Sequence, residues 1–155
     1  MNEQFLQLYD YNVWANDRVL EHLQTLPDDV FFQEVNVGFK SIAEVVGHLA
    51  AADEVWFARI KEEVSPALVS KSFASIEAAR HYMSQTQTQN REYLASVHDM
   101  GKHVTYNKHQ NSISEIVQQV VNHGTYYRGN ITTILRHLGH KGILTDYIAF
   151  LWARA

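Results

Sequence analysis

The 155-residue sequence contains no cysteine, only two prolines and only seven glycines. Without cysteine the chain can form no disulfide, no thiolate nucleophile and no cysteine-based zinc site. Basic residues are also few: 13 lysines and arginines stand against 17 acidic residues, for a formal net charge of −4. Because no run of lysine or arginine is present, the composition argues against electrostatic binding to nucleic acid or to anionic lipid.

Long apolar runs are missing as well. No segment approaches the roughly 20 apolar residues that a membrane-spanning helix needs, and residues 1–4 lack the basic and then apolar pattern of a signal peptide. We therefore expect a cytoplasmic protein with no membrane partner. The length and the hydrophobic content of 46% favour one globular domain over residues 1–155.

Apolar residues recur with a period near 3.6 over long stretches, and this periodicity predicts an all-α fold. Four long segments joined by long connections indicate an up-down four-helix bundle with a short C-terminal helix. We expect these helices at about 2–24, 41–61, 74–97, 112–139 and 146–152. The second and fourth would begin with capping boxes, formed by Ser41 with Glu44 and by Ser112 with Glu115. In the polar segment 98–111 the alternation of Val104, Thr105 and Tyr106 could form a short extended piece, but we predict no sheet there.

Residues 121–130, with the sequence V-N-H-G-T-Y-Y-R-G-N, are the most informative stretch for function. His123 and Tyr127 are four residues apart, so on a helix their side chains lie about 40° apart and one turn along the axis. An inward histidine must be hydrogen-bonded or metal-bound, because an unsatisfied polar group there costs about 1–3 kcal/mol. Gly124 costs about 1 kcal/mol relative to alanine inside a helix, which indicates a local steric need. The face that carries His123 is otherwise apolar, with Ile113, Ile116, Val117, Val120, Ile131, Ile134 and Leu138.

His48 is the other histidine well inside a predicted helix. Three alanines at 50–52 leave room beside its imidazole, as a small pocket requires, and Asp53 lies on the adjoining edge. A surface pair with Glu44, one turn earlier, is an equally good interpretation of His48 at this point. On the first helix, Asn12 and Asn16 lie unusually close to the apolar stripe. Any metal site in this chain would have to combine imidazole with oxygen ligands.

Three segments in this order resemble the DinB-like family of DNA-damage-inducible proteins, which includes the YfiT-like metal-dependent enzymes. Residues 11–20 are similar to the opening helix of the family, and residues 42–57 look like its helix with the first metal histidine. Residues 123–130 are similar to a family pattern of the form N-H-x-T-H-H-R-G-Q. The three segments together extend over nearly the whole chain, and their order and spacing are fairly specific.

The resemblance implies a four-helix bundle, usually a homodimer, that holds a divalent metal ion with three histidines near one end of its core. By position, His48 is the first ligand and His123 the second. Tyr127 occupies the position of the third histidine, Tyr126 that of the histidine before it, and Asn130 that of the glutamine. Around these ligands, the second shell or pocket that we expect consists of Asn12, Asn16, Glu44, Asp53, Tyr126, Arg128 and Asn130.

Tyr127 is not equivalent to histidine as a ligand. A neutral imidazole offers a lone pair at pH 7, whereas a phenol with a pKa of about 10 must first lose a proton. Two histidines with an oxygen from Tyr127, Asp53 or water could still bind zinc or nickel, more weakly than three histidines would.

The resemblance, together with this donor set, leaves two functional hypotheses; the thiol-dependent reaction in the first is what the resemblance implies, since some family members are thought to act as thiol-dependent transferases or hydrolases. In the first, a metal-dependent enzyme acts on a small molecule as a thiol-dependent S-transferase or hydrolase, and a low-molecular-weight cosubstrate supplies the thiol. In the second, a non-catalytic bundle of the stress response binds a small molecule or a protein partner, and Tyr127 forms a hydrogen bond with His48 or His123. Tyr127 is the residue that separates these two hypotheses.

Overall fold

Four long helices form the body of the molecule, whose structure is a computed structural model that describes residues 2–155. The prediction of an all-α up-down bundle is confirmed, and the predicted helix ends lie within about two residues of the observed ones. The elements in chain order are α1 (Asn2–Gln24), α2 (Asp29–Phe32), α3 (Ile42–Ile60), α4 (Ile76–Ser96), β1 (His103–Tyr106), β2 (His109–Ser112), α5 (Ile113–His137) and α6 (Tyr147–Ala153).

Helix α1 packs against α4 and α5, and α3 packs against the same two helices from the opposite side. The apolar core has two main parts along the bundle axis. One surrounds Val46 and Leu135 near α2, and the other surrounds Tyr9 and Leu94 near the strands. Within residues 2–155, none of the helices combines the length and the apolar character needed to cross a membrane.

The helix starts follow the predicted capping chemistry, with one difference. At α5, the Ser112 hydroxyl accepts a hydrogen bond from the Glu115 amide, and the Glu115 carboxylate accepts one from the Ser112 amide. At α3, Ser41 accepts from the Glu44 amide, but the Glu44 carboxylate accepts from the amide of Lys40. The second capping box is therefore reciprocal and the first is not.

The prediction of no sheet in 98–111 was wrong, because β1 and β2 form an antiparallel hairpin in that segment. Asn107 makes the turn with a φ of 53°, in the left-handed region that asparagine tolerates better than most residues. Strand β2 reads His-Gln-Asn-Ser and carries none of the β-branched residues that signal a strand. Backbone pairing and the burial of Val104 support the hairpin. The short helix α2 was also not predicted.

Candidate metal centre

His48 on α3 and His123 on α5 meet in the groove between the two helices, although 75 residues separate them in sequence. The distance between their Nε2 atoms is 3.3 Å. A hydrogen bond of this kind requires that one Nε2 carries the proton and that the other offers its lone pair. The structure thus brings together the two histidines that the sequence singled out, and both are partly buried.

Aromatic rings enclose this pair. The ring centroid of Tyr127 lies 4.4 Å from that of His123 and 4.5 Å from that of His48. Phe39, from the connection before α3, packs against Tyr127 at 5.5 Å and against His48 at 6.1 Å. Among residues 2–155 the Tyr127 hydroxyl has no hydrogen-bond partner, so the hydrogen bond to a histidine expected for a non-catalytic bundle is not formed. Tyr126 is 66% exposed and contacts only the edge of this group.

Both imidazoles are neutral at pH 7. Burial lowers the pKa of His123 to about 4, with the nearby His48 as the second cause. Burial also lowers the pKa of His48, and the charge of Glu44 opposes this effect. Neutral imidazole is the form that binds a metal ion, so protonation does not compete with metal binding at neutral pH.

The spacing of the two nitrogens fits one metal ion. Zinc binds imidazole nitrogen at about 2.0–2.1 Å, and two such bonds to atoms 3.3 Å apart would enclose an angle of about 107°, close to tetrahedral. Within the described part of the chain, however, no three His, Cys, Asp or Glu side chains are grouped closely enough to hold an ion. The protein therefore offers two nitrogen donors, and the remaining ligands would be oxygen or sulfur from Tyr127, water or a substrate.

The carboxylates expected beside the site have other partners. The Glu44 carboxylate accepts a hydrogen bond from the amide of Lys40 at 2.6 Å, and its effect on His48 is electrostatic. The suggestion that Asp53 supplies a ligand is not supported, because it forms no metal-binding group with the two histidines. The Asn130 amide donates to the Tyr126 carbonyl one turn earlier in α5.

Asp53 belongs instead to a set of buried polar residues that we call the interior polar layer, to which all four long helices contribute. Its centre is Arg128, which is 3% exposed. The Arg128 guanidinium donates to Asn12 Oδ1 at 2.9 Å and to Asn16 Oδ1 at 2.7 Å. The two asparagines thus bind this arginine, and neither bonds to an imidazole. The layer comprises Tyr9, Asn12, Asn16, Asp53, Gln87, Asn90 and Arg128.

The interior polar layer explains Gly124. A methyl group at this position would lie 2.2 Å from Asn12 Oδ1 and 2.8 Å from Arg128 Nη1. These distances are too short for any side chain unless the hydrogen bond between the two residues breaks. The absence of a side chain at Gly124 therefore leaves the space in which Arg128 bonds to Asn12 of α1. This is the steric need that the sequence indicated.

The ionisation of Asp53 is strongly altered inside the layer. Burial raises the pKa of Asp53 to about 7, although Gln87 and Arg128 oppose the rise. Burial likewise raises the pKa of Tyr9, and the charge of Asp53 adds to that increase. A carboxyl group with such a pKa holds a proton over most of the acidic range.

Four members of the two sets were not predicted from the sequence: Tyr9, Phe39, Gln87 and Asn90. Phe39 lies in a connection, where no periodicity marks a buried side. Gln87 and Asn90 lie in or next to a glutamine- and threonine-rich part of α4, a composition that is typical of a solvent-facing surface. Their three-residue spacing between Met83 and Leu94, which are buried, was the available signal.

Comparisons with known proteins agree on one family. The family model described as "DinB family" matches residues 1–155. The chain is 30% identical over 169 residues to Protein DinB of Bacillus subtilis (strain 168), an alignment that covers 98% of this chain and 96% of that protein. The fold is similar to the crystal structure of a DinB-like protein from Bacillus cereus ATCC 10987, with a TM-score of 0.77 and 20% identity. That alignment covers 92% of this chain and 95% of the other.

Proposed function

The chain belongs to the DinB family, and on this premise we propose that it is a divalent-metal-dependent enzyme that acts on a small molecule. The observation that carries the proposal is the pair of neutral imidazole nitrogens of His48 and His123, 3.3 Å apart. Two nitrogens at this spacing suit zinc or nickel. We further propose an S-transferase or hydrolase reaction that depends on a low-molecular-weight thiol.

In this proposal the protein residues bind and orient. His48 and His123 would hold the ion, and Tyr127 would supply an oxygen only after losing its phenolic proton. A bound divalent ion lowers the pKa of a coordinated water or thiol and so makes it a better nucleophile at pH 7. Because the chain has no cysteine, the thiol must come from a cosubstrate. The rings of Phe39 and Tyr127 would keep bulk water from the imidazoles.

A cavity of about 410 Å³ lies beside the first turn of α3 and is a candidate for substrate binding, although His48, His123 and Tyr127 do not line it. Its size is within the range of small-molecule pockets. Glu44 lines it one turn before His48, and Lys40 and Lys71 line it as well. Lys71 is paired with Glu54 at 2.9 Å, and Glu34 also lines the cavity, so its charges do not favour one sign of substrate.

A metal-free bundle of the stress response that binds a small molecule or a protein is the second candidate. The observation that favours it is the same contact, since a hydrogen bond between the two imidazoles satisfies both nitrogens without a metal ion. In that case Tyr127 would contribute only its ring, which packs against both histidines.

A cytoplasmic homodimer is part of the same proposal. The first and last helices are rich in aromatic residues, but Tyr9, Tyr11 and Phe150 are buried within the chain and offer no surface to a second copy. The surface that could pair with a second copy is smaller and lies on α6, where Ile148 is 49% and Trp152 is 69% exposed. Light scattering that gives a monomer mass at micromolar concentration would contradict this part of the proposal.

The Tyr127→His variant tests the metal site directly. Its spacing from His123 places a third imidazole on the same face of α5, and imidazole avoids the phenol's deprotonation penalty of about 4 kcal/mol at pH 7. We expect tighter binding of Zn²⁺ and Ni²⁺ by isothermal titration at pH 7, and weaker binding in His48→Ala. The metal content of protein purified without an affinity tag is measured alongside.

The metal-dependent proposal would be contradicted if the wild type and Tyr127→His bound Zn²⁺ and Ni²⁺ with equal affinity and if adding His48→Ala changed neither affinity. The surface histidine variant His81→Ala is the matched control, since His81 is exposed on α4. Its removal should leave the affinity of the wild type unchanged.

A further inference from the structure

Arg59, in the last turn of α3, lies between two aromatic rings at the hairpin end of the bundle. Its guanidinium carbon is 4.4 Å from the ring centroid of Trp56 and 3.7 Å from that of Tyr106. Stacking of this kind uses the two flat faces of the guanidinium and fixes its orientation. The N–H groups, which project from the edge of the plane, are not used by the stacking.

The edge of the Arg59 guanidinium has no acceptor within the described residues. It forms no hydrogen bond or ion pair, and its Nε atom is shielded from solvent without a partner. Other arginines of the chain differ: Arg80 binds the carboxylate of Asp17, and Arg91 binds that of Asp10. A shielded cationic donor without an acceptor is costly, so an external anion would gain affinity here.

A cavity of about 200 Å³ adjoins this guanidinium. Apolar and aromatic groups form most of its wall, and His109 and Asn111 of β2 add two polar side chains. The volume is below the usual 300–1,000 Å³ of pockets for drug-sized ligands. The occupant must therefore be small, with one anionic end for Arg59 and an apolar body for the wall. Its lining residues are Trp56, Arg59, Val104, Tyr106, His109, Asn111 and Ile116.

We propose that this cavity is a binding site for a small organic carboxylate with an apolar or aromatic body, anchored by the edge of the Arg59 guanidinium. The planar fork of arginine matches the two oxygens of a carboxylate. The apolar wall disfavours inorganic phosphate, which would need further polar contacts. Arg59 is eleven positions after His48 on α3, about 16 Å along the helix axis, so the site is distinct from the histidine pair and does not depend on a metal.

Benzoate is a suitable probe, and benzamide is its neutral counterpart of nearly the same shape. Titration of the wild-type protein, followed by the NMR signals of the Trp56 indole N–H and the Arg59 Nε–H, should give saturable shifts with benzoate. Benzamide should bind at least about tenfold more weakly, since it lacks the charge that Arg59 recognises. Inorganic phosphate should bind more weakly than benzoate.

The Arg59→Gln variant removes the charge, and we expect its affinity for benzoate to fall at least about tenfold. Arg154→Gln is the matched control, because Arg154 is also stacked on an aromatic ring, that of Phe150 at 5.2 Å, but lies outside the cavity. It should bind benzoate like the wild type. Equal binding of benzoate and benzamide by the wild type would overturn the proposal without any variant, as would tighter binding of phosphate or retention of benzoate by Arg59→Gln.

Discussion

The histidine pair and the interior polar layer lie on the same bundle, but they are held together very differently. One contact between two helices joins His48 and His123, and the hydroxyl of Tyr127 beside them bonds to no described residue. In the layer, the Arg128 guanidinium alone forms hydrogen bonds with four side chains, three of them on α1. The first set is weakly connected and partly exposed, whereas the second is buried and is joined to α1 through Arg128, although Tyr9, Gln87 and Asn90 each keep a buried polar atom without a partner among residues 2–155.

This difference assigns the two sets to different tasks. Arg128 is adjacent to Tyr127 in sequence, so the bonds that fix its side chain on α1 also fix the rotation of α5. That rotation turns His123 and Tyr127 towards α3. A change at position 127, such as tyrosine in place of the histidine that the family resemblance implies, alters the donor set without breaking any of the hydrogen bonds of Arg128. The layer therefore positions the site, and the site itself can vary.

The pKa of Asp53 in the layer is raised and that of His123 in the pair is lowered, and the raised pKa of Asp53 gives the largest expected effect on stability. The pKa of Asp53 is raised from 3.8 to about 7, so the native state holds a proton that the unfolded state has lost between these values. This carboxyl therefore lowers stability as pH rises through that window. The stability of Asp53→Asn relative to the wild type should rise by about 3 kcal/mol between pH 4 and pH 7. Urea unfolding of chelator-treated protein measures this difference.

His123 provides the matched control with the opposite sign. Its pKa is lowered from 6.5 to about 4, so in this window the unfolded state binds more protons and stability rises with pH. In metal-free protein, the free energy of unfolding of His123→Gln should fall relative to that of the wild type as pH rises from 4 to 6.5. If the free energies of unfolding of the wild type and Asp53→Asn changed in parallel with pH, Asp53 would be ionised throughout this range. The charge of Arg128 would then outweigh burial and the charge of Glu54.

Gly124 gives the next largest effect. Alanine is normally better than glycine in a helix by about 1 kcal/mol, but a methyl group at 124 would overlap Asn12 Oδ1. Gly124→Ala should therefore destabilise the protein by about 1–3 kcal/mol, as overpacking does. Gly129→Ala in the same helix meets no atom within 4 Å and should stabilise it by up to about 1 kcal/mol. Denaturant unfolding at pH 7 compares the two, and a gain in both variants would contradict the account of the layer.

Much of the fold was predictable because it depends on local patterns. The 3.6-residue periodicity and the capping residue Ser112 define α5 without any knowledge of its neighbours. The hairpin was missed because β2 is polar and its pairing with β1 is a contact between segments. Likewise α2, with four residues, is too short to show a period.

The candidate site was predictable only in part, for a similar reason. His123 and Tyr127 share a helix face, so their proximity follows from spacing, while the position of His48 opposite them required the family resemblance. The partners of Asp53 could not be predicted, because the sequences of α3 and α4 do not show how the two helices are aligned, and so do not show that Gln87 faces Asp53. Asn12 and Asn16 were recognised as unusual, but their bonds to Arg128 are visible only in the folded chain.

The smallest expected effect is that of Tyr127→Phe, and it separates the two functions proposed for the site. The variant keeps the ring that packs on His48 and His123 and removes a hydroxyl without a hydrogen-bond partner among residues 2–155. In metal-free protein the free energy of unfolding should change by less than about 0.5 kcal/mol. If phenolate is a ligand, the stabilisation by saturating Zn²⁺ should be smaller in the variant, since a ligand stabilises the native state according to its affinity. Denaturant unfolding with and without Zn²⁺ measures both quantities. A loss above about 1 kcal/mol without metal would mean that the hydroxyl bonds to a histidine in solution, which favours the non-catalytic bundle.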